Sequence, residues 1–386
     1  MEKSVIRNRN LHIIFSITLV AVMGVASITP AFPAIIDHFG IEKKQVVWLI
    51  TMFTIPGIVL TPIMGVLADR FGRKTILIPS LILFSLGGTA CIAANTFHIL
   101  LVYRFIQGTG AAALGSLNIT LVGDMFTGKQ RAEAMGYNAS VLSVGTASYP
   151  FIGGLLAHAN WNYPFLLPFL AIPCALWVAT TLKNPEPKEK QELGQYLINT
   201  WGNINKPKVW GVFTINVLIF VILYGAYLSF FPLLMKDRFG SGSLEIGLFM
   251  SAFSVCTAIT ASQSKHIHQL ISVRIQLIVS FCFYILGLVI LSFVSSYIIL
   301  IIPLVIIGIA HGMVIPGIQN ILVGFAPLKE RAGFMSINSM VLRIGQTIGP
   351  PLIGVFFAFG GFSLAFLGGS VIAVIALIIW LLMKEI

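Results

Sequence analysis

Twelve apolar runs, each near the roughly 20 residues a helix needs to cross about 30 Å of hydrocarbon, occupy almost the whole chain and leave little else to fold. They lie at about 11–34, 46–66, 75–94, 98–123, 134–157, 163–182, 209–232, 245–264, 275–295, 298–324, 333–358 and 362–383. A barrel strand would show about ten residues of alternating polarity, and none of these runs alternates. The expected fold is therefore an all-α membrane protein with twelve transmembrane helices. Charge agrees: Asp, Glu, Lys and Arg make up 10% of the 386 residues, against about 25% in a soluble domain.

A net charge of +11 could point to nucleic acid, but the placement of the bases supplies another reason. With a cytoplasmic N-terminus, 18 Lys and Arg fall in inner segments, four in outer loops (Lys43, Lys44, Lys236, Arg238) and two, Arg104 and Arg343, inside spans. Such an asymmetry in short loops places both termini in the cytoplasm of a cell with an inner or plasma membrane. The bilayer is the expected surface partner, and no nucleic acid is expected. The first apolar run is too long, and lacks a small-residue cleavage site, for a secretory signal. Cys91, Cys174, Cys256 and Cys282 all fall within spans, where a thiol is usually a small buried hydrophobe, so no disulfide framework, metal site or cofactor follows.

The chain repeats itself. Residues 128–154 align without gaps to 328–354, with ten of 27 positions identical, among them Asn138/Asn338, Gly145/Gly345, Pro150/Pro350 and Gly154/Gly354. The end of the first span, Phe32-Pro33 through Asp37 to Gly40, recurs as Phe231-Pro232 through Asp237 to Gly240. Two pseudo-symmetric six-helix bundles, 1–182 and 209–386, are expected on either side of a polar cytoplasmic linker at 183–208. Parallel six-span repeats suit a transporter whose halves rock about a site near the bilayer midplane.

Between the second and third runs lies Gly65-Val-Leu-Ala-Asp69-Arg70-Phe-Gly72-Arg73-Lys74. With Arg104-x-x-Gln107-Gly108-x-Gly110 in the fourth run and Gly145-x-x-x-x-Pro150-x-x-Gly153-Gly154 in the fifth, it resembles the major facilitator superfamily over essentially the whole chain. Within that superfamily the motifs are most similar to the twelve-span drug:proton antiporters. Tyr149 stands where the fifth-span motif usually has glycine, and the copy Gly345-x-x-x-Gly349-Pro350-x-x-x-Gly354 keeps that glycine but loses the paired one.

The resemblance implies a conformational latch in the loop. Gly65 and Gly72 allow close backbone approach, and Asp69 would sit against the N-terminus of span 11, worth about 0.3 to 1 kcal/mol. Arg70 or Arg73 would then pair with Asp124. The alternative is a loop whose charges only set orientation. Glycines a turn apart in spans 5 and 11 would form a surface on which the halves pivot, or would only pack helices.

Arg104, Gln107, Gly108, Ala111, Gly115 and Asn118 fall on one face of span 4, which should line the cavity. Gly308, His311, Gly312, Ile315 and Gln319 form a matching face in span 10. Arg343 is the second embedded cation, placed near the inner end, where it could snorkel. No Asp or Glu lies in the middle of any span, so the candidate proton carriers are Asp37, whose repetition as Asp237 also suits a cap, and His311, which also suits an interhelical hydrogen bond. Phe32, Tyr224, Tyr227 and Phe230 are expected to add an apolar lining.

Two cations and no buried acid favour neutral or anionic amphipathic substrates over organic cations. The expected activity is export of drugs or lipophilic metabolites, siderophore-like ones included, by alternating access in exchange for protons, by a monomer that needs no cofactor. Uptake of a small anion with protons is the rival transport reading, and a non-transporting sensor a remote one. Neither a GxxxxGK[ST] loop nor a hydrolase motif is present, so an enzyme is not expected.

Overall fold

The computed structural model describes residues 5–182, 202, 204–325 and 331–383. Most of the expected linker (183–201 and 203) lies outside the described residues. Every described element is helical. Eleven helices are long and apolar enough to cross a membrane, and we number them α1 Arg9–Phe39, α2 Lys43–Phe71, α3 Arg73–Ala93, α4 Phe97–Met125, α5 Gly128–Ala159, α6 Tyr163–Thr181, α7 Pro207–Phe239, α8 Ser243–Ser262, α9 Val273–Phe293 and α10 Ile301–Phe325. The last, α11, runs from Arg331 to Leu382.

The eleventh helix departs from the expectation of twelve. Its 52 residues would reach about 78 Å at 1.5 Å per residue, far more than one bilayer crossing needs. Inside it Gly360 (φ −157°, ψ 29°) and Gly361 (φ 62°, ψ −152°) leave helical geometry. A side chain at Gly361 would be strained at that positive φ, so glycine is what lets the chain bend there. The break falls in the gap the hydropathy leaves between residues 358 and 362.

Local signals set the other helix ends. Asn8 caps α1 by accepting the Asn10 amide at 2.9 Å, and Thr96 caps α4 by accepting the Ile99 amide at 3.3 Å. Left-handed Gly40 and Gly240, at φ 61° and 67°, terminate α1 and α7. The repeated Phe-Pro…Gly sequence thus makes the same helix end twice.

Repeat positions also make equivalent contacts. Asn138 accepts a hydrogen bond from Thr18 of α1 at 2.6 Å, and its counterpart Asn338 accepts one from Asn216 of α7 at 2.8 Å. Gly108 of α4 lies against the Phe53 carbonyl of α2 so closely that a methyl group would not fit, and Gly312 of α10 lies in the same way against the Thr257 carbonyl of α8. In a bilayer such close approach supplies packing that water would otherwise drive.

Within each half, α4 packs on α2 and α3, and α10 on α8 and α9. Between the halves, α5 packs on α8 and α2 on α11.

Candidate functional site

The described contacts between residues before 183 and residues after 206 form a seam with a definite end. At the Gly40/Gly240 end, Lys43 of α2 pairs with Asp237 of α7, and its ammonium stands 5.5 Å from the centroid of the Phe362 ring. Further in, Thr51 donates to the Thr347 carbonyl at 3.2 Å and Thr347 to the Thr54 hydroxyl at 2.9 Å. Ser251 of α8 accepts the Phe151 amide of α5 at 3.0 Å. Deepest is Arg343, whose Nη2 donates to the Ala111 carbonyl at 3.4 Å. All the described inter-half hydrogen bonds and ion pairs lie between the Gly40/Gly240 end and Arg343. Beyond it Gly115 and Gln319 are exposed, with no atom within 4 Å of where a Cβ on Gly115 would stand. Among the described residues the seam is closed at one end and parted toward the other.

Arg343 is thus not where the sequence suggested. It faces Gly57 and Ala111, both near the middle of their helices, so it lies at mid-depth rather than near the inner end. A Cβ at Gly57 would stand 2.9 Å from Arg343 Nε, so α2 carries glycine where the guanidinium crosses. Arg343 is half-buried, and its described hydrogen-bond partner is a neutral carbonyl. Tyr224 of α7 is also half-buried.

Arg104 requires the opposite correction. It is 1% exposed and does not line an open chamber. Its Nε donates to the Leu49 carbonyl at 3.1 Å, its Nη1 to Gln107 Oε1 at 2.6 Å, and the guanidinium lies 4.4 Å from the Phe53 ring centroid. Leu49 and Phe53 belong to α2, so Arg104 clamps α4 to α2 within one half. Gln107 and Asn118 are buried with it, and Asn118 donates to Thr18 in the α1–α5 bridge. Helical periodicity identified one face correctly but not what covers it: α2 and α1 seal most of it, and only Gly115 emerges. Phe32, Tyr227 and Phe230 are likewise buried in the core rather than exposed as lining.

His311 is half-buried near the middle of α10, with Nδ1 2.5 Å from the hydroxyl of Tyr284 on α9. Asp37 is exposed at the Gly40 end and makes no described ion pair, whereas its repeat partner Asp237 holds Lys43. Position 243, where symmetry would call for a second Lys43, is Ser243.

In the loop, Arg73 pairs with Asp69 and donates through Nε to Asp124 Oδ2 at 3.1 Å, which ties α3 to the end of α4. Arg70 lies 5.7 Å from the Phe71 ring centroid, and the Asp69 side chain is 60% exposed. The described partner of Asp69 is Arg73, and Gly65 lies in the body of α2 rather than in the loop.

The glycine motifs divide by function. Gly154 packs on Ser243 and Gly247 of α8, across the seam, and the Pro150 carbonyl meets Gly247 there. Gly153 packs on the Ser27 carbonyl of α1 and Gly145 on Leu19, both within their own half. Gly345 and Gly349 face Val217, Val221 and Gly225 of α7, so beside Pro350 they pack one half internally; a Cβ on Gly354 would only just reach Phe230, at 4.0 Å. Of the two motifs expected to form a pivot surface, the first reaches the other half through Gly154, while α11 meets the other half through Arg343 and Thr347. Nothing in the run Thr51-Met-Phe-Thr54 distinguished these threonines from ones bonded to their own helix. Tyr284 gave no signal either.

A cavity of about 640 Å³ opens at the Gly40 end beside His38, Gln45, Trp48, Asn95 and His98. All its walls precede residue 102, so it belongs to one half and not to the seam.

A bundle of long apolar helices, built from a repeat and meeting along a seam open at one end, is a multi-pass membrane carrier. The family model described as the Major Facilitator Superfamily matches residues 14–260 and, in a second match, 213–385, and the chain belongs to that superfamily. It is a transporter, not an enzyme. It is 28% identical over 263 residues to Multidrug resistance protein 1 of Bacillus subtilis (strain 168), covering 67% of this chain and 66% of that protein. It is 29% identical over 234 residues to the Bacillibactin exporter of the same organism, covering 57% and 58%. Among solved structures, a bacterial homologue of the human lysosomal transporter Spinster, inward-facing and unoccupied, shares the fold with a TM-score of 0.79 over 97% of both chains at 18% identity.

Proposed function

We propose that this protein exports small neutral or anionic amphipathic molecules from the cytoplasm by alternating access, in exchange for protons. The observation that carries the charge preference is Arg343, a half-buried guanidinium at mid-depth in the seam with a carbonyl as its described partner. An ion there costs at least about 2.5 kcal/mol in a bilayer and is retained where it serves a function. An anionic group on the substrate is the natural counter-charge.

In this reading α11 counts as two spans divided at Gly360, which makes twelve in two six-helix units, 1–182 and 209–386, with both termini in the cytoplasm. The parted end is then cytoplasmic, and Lys43–Asp237 bars the outer side. The unit works as a monomer in the plasma membrane, powered by the proton gradient without a cofactor. The names of two relatives, a multidrug resistance protein and a siderophore exporter, support export and leave drug and metabolite as alternative cargoes.

Everted vesicles test this with 8-anilinonaphthalene-1-sulfonate as amphipathic anion, norfloxacin as zwitterion and tetraphenylphosphonium as permanent cation. The anion and zwitterion are expected to accumulate inside, and an uncoupler to abolish accumulation. Transport of tetraphenylphosphonium alone would overturn the charge reading. Flux out of everted vesicles together with protons would replace export by uptake.

A further inference from the structure

We propose that His311, held by Tyr284, is the group that binds and releases the coupling proton. The inference rests on the proton exchange proposed above and assigns it to a residue.

Elimination supplies the first step. The thirteen acidic residues include none in the middle of a span. Six of the seven histidines (His12, His38, His98, His158, His266 and His268) lie near helix ends, and His311 alone sits near the middle of its helix. Arg104 and Arg343 stay charged at any physiological pH. Histidine is the side chain whose charge changes around neutrality without special help.

Geometry supplies the second. Counting from the Gly108–Phe53 and Gly312–Thr257 contacts, His311 stands in α10 where Gln107 stands in α4. Gln107 is buried beneath Arg104, whereas in α10 the place of Arg104 is taken by Gly308, packed on Cys256 and Phe253. His311 therefore has no fixed cation beside it, and it retains partial exposure. The elements packed against α10 carry Arg274, Cys282 and Tyr284 on α9, Glu245 and Cys256 on α8, Lys208, Tyr224, Tyr227, Lys236, Asp237 and Arg238 on α7, Arg343 on α11, and His266 and His268 on the short helix Ser264–Leu270. The two carboxylates among them, Glu245 and Asp237, lie at helix ends, and Asp237 is paired with Lys43.

The hydrogen bond to Tyr284 supplies the coupling. With the ring neutral and its hydrogen assigned to Nε2, the 2.5 Å contact has Tyr284 donating its O–H to Nδ1. Once the outer end has opened, a proton from the outer water forms an N–H bond at Nδ1, and the ring becomes a donor on both sides. Tyr284 must then accept, and its own hydrogen needs a new acceptor. Tyr284 is fully buried, with His311 as its described partner. Charging His311 therefore breaks the fit of α10 against α9, and favours an arrangement in which the ring meets water. When the halves part on the cytoplasmic side again, the proton leaves to that water and the seen hydrogen bond re-forms.

The test uses the full chain in lipid nanodiscs. Spin labels attached through unnatural amino acids at positions 44 and 242 report the width of the closed end, and ring-labelled histidine reports protonation by nuclear magnetic resonance. Between pH 5 and 9 the label distance is expected to shift, with the same midpoint as the one resonance lost in His311→Gln. That variant, which copies Gln107, is expected to lose at least four fifths of the distance change while its melting temperature stays within a few degrees of wild type. Tyr284→Phe is expected to keep the response and move its midpoint by at least half a pH unit. A wild-type distance indifferent to pH, or a His311→Gln protein that responds like wild type, would overturn the assignment. Because no substrate enters this experiment, failure of the vesicle panel with an intact pH response would count against the cargo reading and not against His311.

Discussion

At equivalent places in α4 and α10 the two halves have made opposite choices. In α4, Arg104 and Gln107 form a sealed node, with every described bond directed at α2 or within α4 itself. In α10 the pair is Gly308 and His311: no fixed charge, one titratable ring, one phenol partner and partial exposure. The backbone contacts that frame the two nodes are the same, Gly108 on Phe53 and Gly312 on Thr257. A repeat can thus conserve helix packing while one copy becomes a rigid fastening and the other a group free to change state. Asymmetry recurs at the closed end, where Asp237 has Lys43 but Asp37 has no lysine opposite.

The sharpest way to break this comparison is at its fixed side. Arg104→Ala should cost about 2 to 4 kcal/mol, since it removes a large buried side chain and leaves buried Gln107 Oε1 without its donor. Thermal unfolding in detergent should show it as the largest fall of the series. Arg104→Lys should not restore stability, because a single ammonium cannot reproduce a planar fork that reaches both acceptors. Wild-type stability in either variant would mean the node is not a fastening.

The polar bridges sharpen the same contrast one step lower. Asn138→Ala should destabilise by about 1 to 3 kcal/mol and Asn338→Ala by less, near the low end of that range. Asn138 is tied through Thr18 to Asn118, whereas Asn338 is described with Asn216 alone. Equal losses in the two melting curves would show that the halves are alike at this level.

Arg343→Gln probes the seam rather than either node. Transport of the anionic probe should fall at least tenfold, about 1.4 kcal/mol, with melting little changed because the residue gives up one long hydrogen bond. Unchanged anion flux would remove Arg343 from the cargo path. Smallest is Lys43→Gln: both partners of its ion pair are more than 40% exposed, so the loss should stay within about 1 kcal/mol. Its signature should be a wider label distance at the closed end, reversed in the charge-swapped pair Lys43→Asp with Asp237→Lys.

Much of this molecule could be read without coordinates. The apolar runs, the glycine-ended first and seventh helices, the repeat and the superfamily motifs all describe stretches of chain in their immediate neighbourhood, and they reappear as helices and caps. The last two runs meet with only Gly360 and Gly361 out of helical geometry between them, so they follow one another as a single bent element. The site was read less well. The sequence set Arg104 on a cavity face and Arg343 near the inner end, whereas the structure buries Arg104 against α2 and leaves Arg343 half-buried at mid-depth.

Hydropathy and helical period are properties of a segment against its solvent, so composition alone determined that the chain crosses a membrane, and the repeat that it does so in two related sets. Which neighbour covers a given face depends on helices hundreds of residues away. Thr347 meeting Thr51 and Thr54, Gly154 meeting Gly247, and α2 closing over Arg104 all arise from that apposition. Tertiary packing alone decided that one cation would be buried in a joint and the other left facing the seam, because a side chain's surroundings are set by the backbone brought against it.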